Sequence, residues 1–161
     1  MILRKNPNIE LMMDDLDRKI IRELQIDASQ SVDELANKVA LSRNACWRRM
    51  RNLEDRGVIR SRVALVDADA LGIPLKVLVM VKTSEHDADW AENFRNAVSS
   101  FPEITGAYRM SGELDYVLRV QVVDVRAYDA FYQRLTKKLK LSDISASFVM
   151  EEIKETTALP V

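Results

Sequence analysis

The chain has 161 residues, enough for one medium domain or two small ones, and at 47% hydrophobic it can fill a core. No apolar run approaches the roughly 20 residues that cross a bilayer. A single cysteine (Cys46) and a single histidine (His86) exclude an intramolecular disulfide framework and argue against a Cys/His metal site.

The net charge of −1 hides an asymmetry. Residues 36–62 carry Lys38, Arg43, Arg48, Arg49, Arg51, Arg56, Arg60 and Arg62 against Glu54 and Asp55, so this stretch holds +6 and the remainder −7. A compact basic patch on an acidic chain is the electrostatic footprint of a phosphate-binding surface. The N-terminus has no apolar leader and the cysteine content suits a reducing compartment, so the expected location is the cytoplasm.

Residues 1–11 show no clear periodicity, and 1–13 read as an N-terminal extension, with Met12 or Met13 as alternative natural starts. A first helix is expected from about Asp14 to Asp27, with Asp14, Asp15 and Asp17 at its positive end and Leu16, Ile20, Ile21 and Leu24 in one apolar stripe. Ser31 and Glu34 have the spacing of a capping box, which starts a second helix at Val32. Val39-Ala40-Leu41 forms a tight turn. Ser42 then caps a third helix that runs to about Arg56 and is ended by Gly57.

Three short helices with a tight turn between the second and third have the layout of a helix-turn-helix. On the third helix Cys46, Met50 and Leu53 share the inward face. Arg43, Asn44, Trp47, Arg48 and Arg51 share the other. Arg43, Asn44 and Trp47, near the capping Ser42, are expected nearest the base edges, because the N-terminal part of such a helix enters the major groove. Arg48 and Arg51 are expected nearer the phosphates. Trp47 has a second reading as a core residue. Val58 to Leu65 alternates like a wing, with Arg60 and Arg62 on one strand face, placed to grip phosphates. Residues 14–66 are thus expected to form a winged helix-turn-helix, and 67–74, rich in Asp, Ala, Gly and Pro, the linker.

Residues 75–161 read as a second domain. Leu75–Lys82, Ile104–Met110, Tyr116–Val122 and Ile144–Val149 read as strands, the last with possible continuation through Ile153. Trp90–Phe101 and Val125–Leu139 read as amphipathic helices. The order strand-helix-strand-strand-helix-strand is the ferredoxin-like arrangement, making the chain α+β. Its sheet carries helices on one face only. The other face, with Leu78 and Met80, needs a cover, and a second copy of the chain supplies one. No catalytic set emerges: Glu151 and Glu152 are adjacent and point to opposite faces if on a strand, Ser111-Gly112-Glu113 lacks the nucleophile-elbow pattern, and no enzyme activity or cofactor is expected. His86 reads as an ordinary loop residue.

Taken together these residues resemble the Lrp/AsnC family of transcriptional regulators from about Asp14 to Val161. The resemblance rests on Leu16-Asp17, Leu41-Ser42, Cys46 with Arg48-Arg49, Leu53-Glu54, Gly57, Leu71-Gly72, Ser111-Gly112 with Asp115-Tyr116, Ala127-Tyr128, and Phe148 with Met150-Glu151-Glu152-Ile153. Arg43-Asn44-Ala45 departs from the family's usual Pro-Thr-Pro helix start, which touches the operator sequence and not the docking mode. The resemblance implies dimers through the ferredoxin-like domain, further assembly to octamers or other multiples of dimers, double-stranded DNA as partner, and an amino acid bound at clefts between dimers. By matched motif the effector residues are Gly112, Asp115 and Tyr116, joined by Val125, Ser147, Phe148 and Val149 from neighbouring elements. Asp115 has a second reading, as a residue that holds the hairpin. Asp87 with Trp90, the Arg43-Asn44 start and the tail Thr156-Thr157-Ala158-Leu159-Pro160 resemble a narrower branch for which a sulfur-containing amino acid such as cysteine is the implied effector. The expected function is sequence-specific regulation of transcription. An architectural DNA-bending protein with little sequence preference and no effector is the alternative.

Overall fold

The computed structural model describes residues 13–85 and 87–161. The expectations for the N-terminal extension before Met13 and for His86 lie outside the described residues. The chain divides into two compact units, one made of the residues up to Ala64 together with Lys154–Val161, the other of Leu65–Ile153.

The first unit contains α1 (Asp15–Ile26), α2 (Val32–Lys38) and α3 (Arg43–Asp55). Each begins at a side chain that takes an otherwise orphaned backbone N–H. Asp14 accepts from Asp17 N at 2.9 Å, and Ser42 accepts from Ala45 N at 3.3 Å. The capping box is complete: Ser31 Oγ accepts from Glu34 N at 3.2 Å, while Ser31 N donates to Glu34 Oε2 at 2.7 Å. Between α2 and α3 the chain reverses at Ala40, whose φ of 56° is unusual for a residue with a Cβ. The Leu41 N–H donates to Ala36 O at 2.9 Å across that turn. Gly57, with φ of 69°, ends α3. Ile20, Ile21, Leu35, Ala36, Val39, Cys46, Met50 and Leu53 make one buried core.

The sequence expectation differs from the structure after α3. Residues 60–66 form no strand, so the alternation read as a wing has no ladder partner within the chain. An alternating pattern signals a strand only where one face is covered, and Val63 and Leu65 are both exposed. A hydrogen-bonded turn follows over Asp67–Gly72, with Asp67 Oδ1 accepting from Ala70 N at 2.9 Å.

The second unit contains β1 (Leu75–Lys82), α4 (Ala88–Ser99), β2 (Ile104–Arg109), β3 (Tyr116–Val122), α5 (Val125–Lys138) and β4 (Asp143–Phe148). The sheet order is β2-β3-β1-β4, and all three pairings are antiparallel. This is the expected ferredoxin-like topology. Val77, Val79 and Val81 of β1 alternate into a core with Leu118 and Val120 of β3, Trp90 and Phe94 of α4, and Phe131 and Leu135 of α5. The opposite parity leaves Leu78, Met80, Val117 and Tyr108 on the face without helices. β4 stops at Phe148, and the suggested strand continuation through Ile153 is not formed. Residues 154–161, which follow the second domain's last strand, make their contacts with the first unit. Val161 lies against the helical core.

Candidate nucleic-acid interface and ligand-binding residues

The physical origin of the interface is the split in α3. Cys46, Met50 and Leu53 are buried, which turns Arg43, Asn44, Trp47, Arg48 and Arg51 outward, all exposed. Trp47 is 55% exposed, so its alternative reading as a core residue does not hold. Cys46 is a buried free thiol, and burial pushes its pKa up, which makes it a poor nucleophile. Ser42 spends its hydroxyl on the helix start.

The arginines fall into distinct electrostatic classes. Arg48 and Arg60 pair with no carboxylate among the described residues. Arg43 meets Asp33 at 3.4 Å with both side chains well exposed, an interaction that water largely screens. Arg51 and Arg62 both reach Glu54, at 3.4 and 2.7 Å. Glu54 thereby ties the extended segment after Gly57 to α3, and Arg62 comes beside the helix without a wing strand. Arg49, absent from the candidate contacts but counted in the basic patch, is committed inward. Its Nη1 lies 2.8 Å from Asp17 Oδ1 and 2.8 Å from Asp14 Oδ2. The Asp14 carboxyl is held below its ordinary value, chiefly by the Asp17 backbone N–H and further by Arg49. The partners are far apart in sequence, and no local pattern signals the pairing.

In the second unit the expected effector residues form two groups. Gly112 occupies the exposed β2–β3 turn with φ of 120° and open space where a Cβ would be, a conformation that suits glycine. Asp115 Oδ2 accepts from Thr83 N at 2.8 Å, and Asp115 N donates to Val81 O at 3.1 Å, so this residue fastens the hairpin to the end of β1. The Tyr116 ring packs at a tilt against Phe94, with centroids 4.2 Å apart, and lies against the core layer. Val125 is 60% exposed at the start of α5. Ser147 sits opposite Leu78 on β1, Phe148 makes an edge contact with Tyr128 at 5.4 Å, and Val149 N donates to Lys76 O at 3.0 Å.

The chain does not bring these groups together. Asp115 joins β1 at Val81 and Val149 joins it at Lys76, about 17 Å apart along the strand. They also arrive from opposite sides, since β3 and β4 flank β1. A separate groove of about 340 Å³ lies between the start of α4 and the end of α5, lined by Glu85, Asp89, Trp90, Asn93, Lys138 and Lys140 among others. None of the seven expected effector residues lines it. Among the described residues no cluster of His, Cys, Asp and Glu could hold a metal ion, and no helix is long and apolar enough to cross a membrane.

Comparison with known proteins matches two family models: the AsnC-type helix-turn-helix domain over residues 13–54 and the Lrp/AsnC ligand binding domain over residues 76–159. The chain is 45% identical over 149 residues to a glutamate uptake regulatory protein of Zymomonas mobilis, covering 92% of this chain and 91% of that one. It is 44% identical over 151 residues to the DNA-binding transcriptional activator DecR of Escherichia coli K12, covering 93% and 99%. Among solved structures it is similar to an AsnC family transcriptional regulator from Agrobacterium tumefaciens, with a TM-score of 0.89, 50% identity and coverage of 92% and 97%. A Neisseria meningitidis transcriptional regulator in complex with L-methionine gives a TM-score of 0.88 at 34% identity, covering 92% and 96%. The outward basic face of α3, the ferredoxin-like second unit and these matches lead to one conclusion: the chain belongs to the Lrp/AsnC family of transcriptional regulators.

Proposed function

We propose that the protein is a sequence-specific regulator that docks α3 in the major groove of duplex DNA, works as an oligomer of dimers, and changes its DNA affinity or assembly when a small amino acid binds between dimers. The observation that carries the DNA part is the division of α3: three buried apolar residues on one side, and on the other an exposed row with Asn44, Trp47 and the unpaired Arg48. Arg43, Asn44 and Trp47 reach base edges, with Ser42 at the helix start. Arg48, Arg51, Arg60 and Arg62 take phosphates.

Dimerisation through the sheet face without helices is supported by the apolar side chains it leaves outside, Leu78, Met80 and Tyr108. An effector cleft between copies is supported by the placement of the candidate residues. Gly112 and Asp115 in one chain stand apart from Val125, Ser147, Phe148 and Val149 in the same chain, so a pocket that uses both groups draws them from different copies. Tyr116 contributes there through its backbone, since its ring is in the core. A small amino acid as effector is supported by the L-methionine complex of the Neisseria regulator. Cysteine is the narrower candidate.

The test is a thermal-shift screen of the twenty amino acids on the purified protein, followed by binding to genomic fragments with and without the amino acid that raises the melting temperature. Sharp sites that move with the ligand support the reading. Broad coverage of DNA with no ligand response points to an architectural protein.

A further inference from the structure

We propose that residues 154–161 are a strap that docks on α1 and holds the helix-turn-helix to the ligand-binding unit at a second point. The exposed side of α1 carries a docking site for an extended segment, and the chain's own tail occupies it. Gln25 reads the backbone of Leu159 in both directions: its Nε2 donates to Leu159 O at 3.0 Å, and its Oε1 accepts from Leu159 N at 2.7 Å. A side-chain amide used this way imitates a neighbouring strand, and it selects extended backbone and not a particular side chain. Arg22 Nε donates to Val161 O at 2.6 Å, and the Val161 side chain packs on the helical core beneath.

The chain leading into the strap is anchored on β1. Glu152 pairs with Lys76 of β1, and Val149 N donates to Lys76 O. From Glu152 to Leu159 the chain takes seven residue steps, at most about 25 Å when fully extended. The route through the linker, from the last helical-core residue Ile59 to Leu75, takes sixteen steps, at most about 57 Å. The tail is therefore the shorter of the two covalent tethers between the units. Phe148 and Val149, candidate effector residues, lie a few residues before it. A shift there reaches α1 through a handful of residues and not through the long linker.

Two measurements on the full-length chain test this without DNA or ligand. In the first, hydrogen exchange is followed in the unaltered chain and in the surface variant R22A/Q25A. The Leu159 amide is expected to exchange about ten-fold or more slower than free peptide in the former and at the free rate in the latter, with α4 and the sheet unchanged. In the second, spin labels at Lys19 and Arg95, in a Cys46→Ala background diluted with unlabelled chain, report the distance distribution between α1 and α4. It is expected to widen about two-fold or more when the chain is cut back after Ile153. A Leu159 amide that exchanges freely in the unaltered chain, or a distribution unchanged by removal of residues 154–161, overturns the proposal. Neither result bears on the regulatory reading.

Discussion

Arg49 Nη1 stands 2.8 Å from Asp17 Oδ1, and through this pair α3 is bolted to α1. Asp17 is 6% exposed although it carries a carboxylate. Arg49 is therefore an internal strut that sets the tilt of α3, while its neighbour Arg48 faces solvent. Arg49→Ala strands the Asp17 carboxylate and should destabilise the first unit by about 2 kcal/mol, below the range for fully buried pairs because the arginine remains partly solvated. Urea unfolding of Arg49→Ala, Asp17→Ala and the double variant measures it. Additive effects would show that the two residues are not coupled.

Acidification should loosen the same unit. Asp14, Asp27 and Glu34 all have carboxyls held below their ordinary values, first by the Asp17 backbone N–H, the Ser29 hydroxyl and the Ser31 backbone N–H respectively. A depressed carboxyl contributes stability that is fully present above its unfolded value and is lost as pH falls through the folded one. The contribution should be intact at neutral pH and decline below about pH 4.5. Circular dichroism melts from pH 7 to pH 3 follow it. Glu34→Gln should flatten part of the slope, and an unchanged slope would remove the capping box from the account.

Salt titrations should separate the arginines. Arg48→Ala and Arg60→Ala remove charges with no internal partner, so each is expected to weaken binding to any duplex and reduce the salt slope by about 1. Glu54→Gln does the reverse. It releases Arg62 from its carboxylate, leaves Arg51 only the longer contact with Asp55, and should tighten non-specific binding about two- to five-fold at low salt. Fluorescence anisotropy with an arbitrary duplex is sufficient, and a loss of affinity in Glu54→Gln would mean that the carboxylate places Arg62 more than it neutralises it.

At the hairpin, Asp115→Ala leaves the Thr83 backbone N–H without its partner and should cost about 1–2 kcal/mol. Gly112→Ala has space for the methyl group but forces an L-residue to a φ of 120°, costing about 1–3 kcal/mol. If Asp115 also takes an effector ammonium, Asp115→Asn should keep the melting temperature near that of the unaltered chain and lose the ligand shift. A full ligand shift in Asp115→Asn assigns the residue to the hairpin alone.

Leu78→Arg tests the bare sheet face. The position is 37% exposed in the single chain and pairs with Arg119 and Ser147 in the register. A second copy covering this face would bury the new charge, so light scattering should show a shift to lower mass, with the helices intact by circular dichroism. An unaltered mass would mean that this face makes no contact between copies.

Much of this architecture is legible in local chemistry. Ser31 with Glu34, and Ser42 three residues before Ala45, announce helix starts because a cap acts within one turn. The parity of Val77, Val79 and Val81 announces a strand because one face must be covered. Tyr116 is instructive, since its parity with Leu118 and Val120 already points it into the core, whereas the family motif marks it for the pocket. The parity reading describes the ring. What was not legible depends on distant partners: Arg49 with Asp17, Arg62 with Glu54, and Val161 on the helical core. Residues 60–66 alternate as a wing would, but alternation is silent about whether a neighbouring strand exists.

The separation of Asp115 from Val149 along β1 has a consequence for how such a protein would behave in a cell. A molecule that must touch both finds no complete receptor on a solitary subunit. Occupancy then depends on the abundance of the regulator as well as on that of the nutrient, and dilution alone would blind it. Two cells with equal nutrient but unequal amounts of the protein would respond differently, so expression level becomes part of the signal being read.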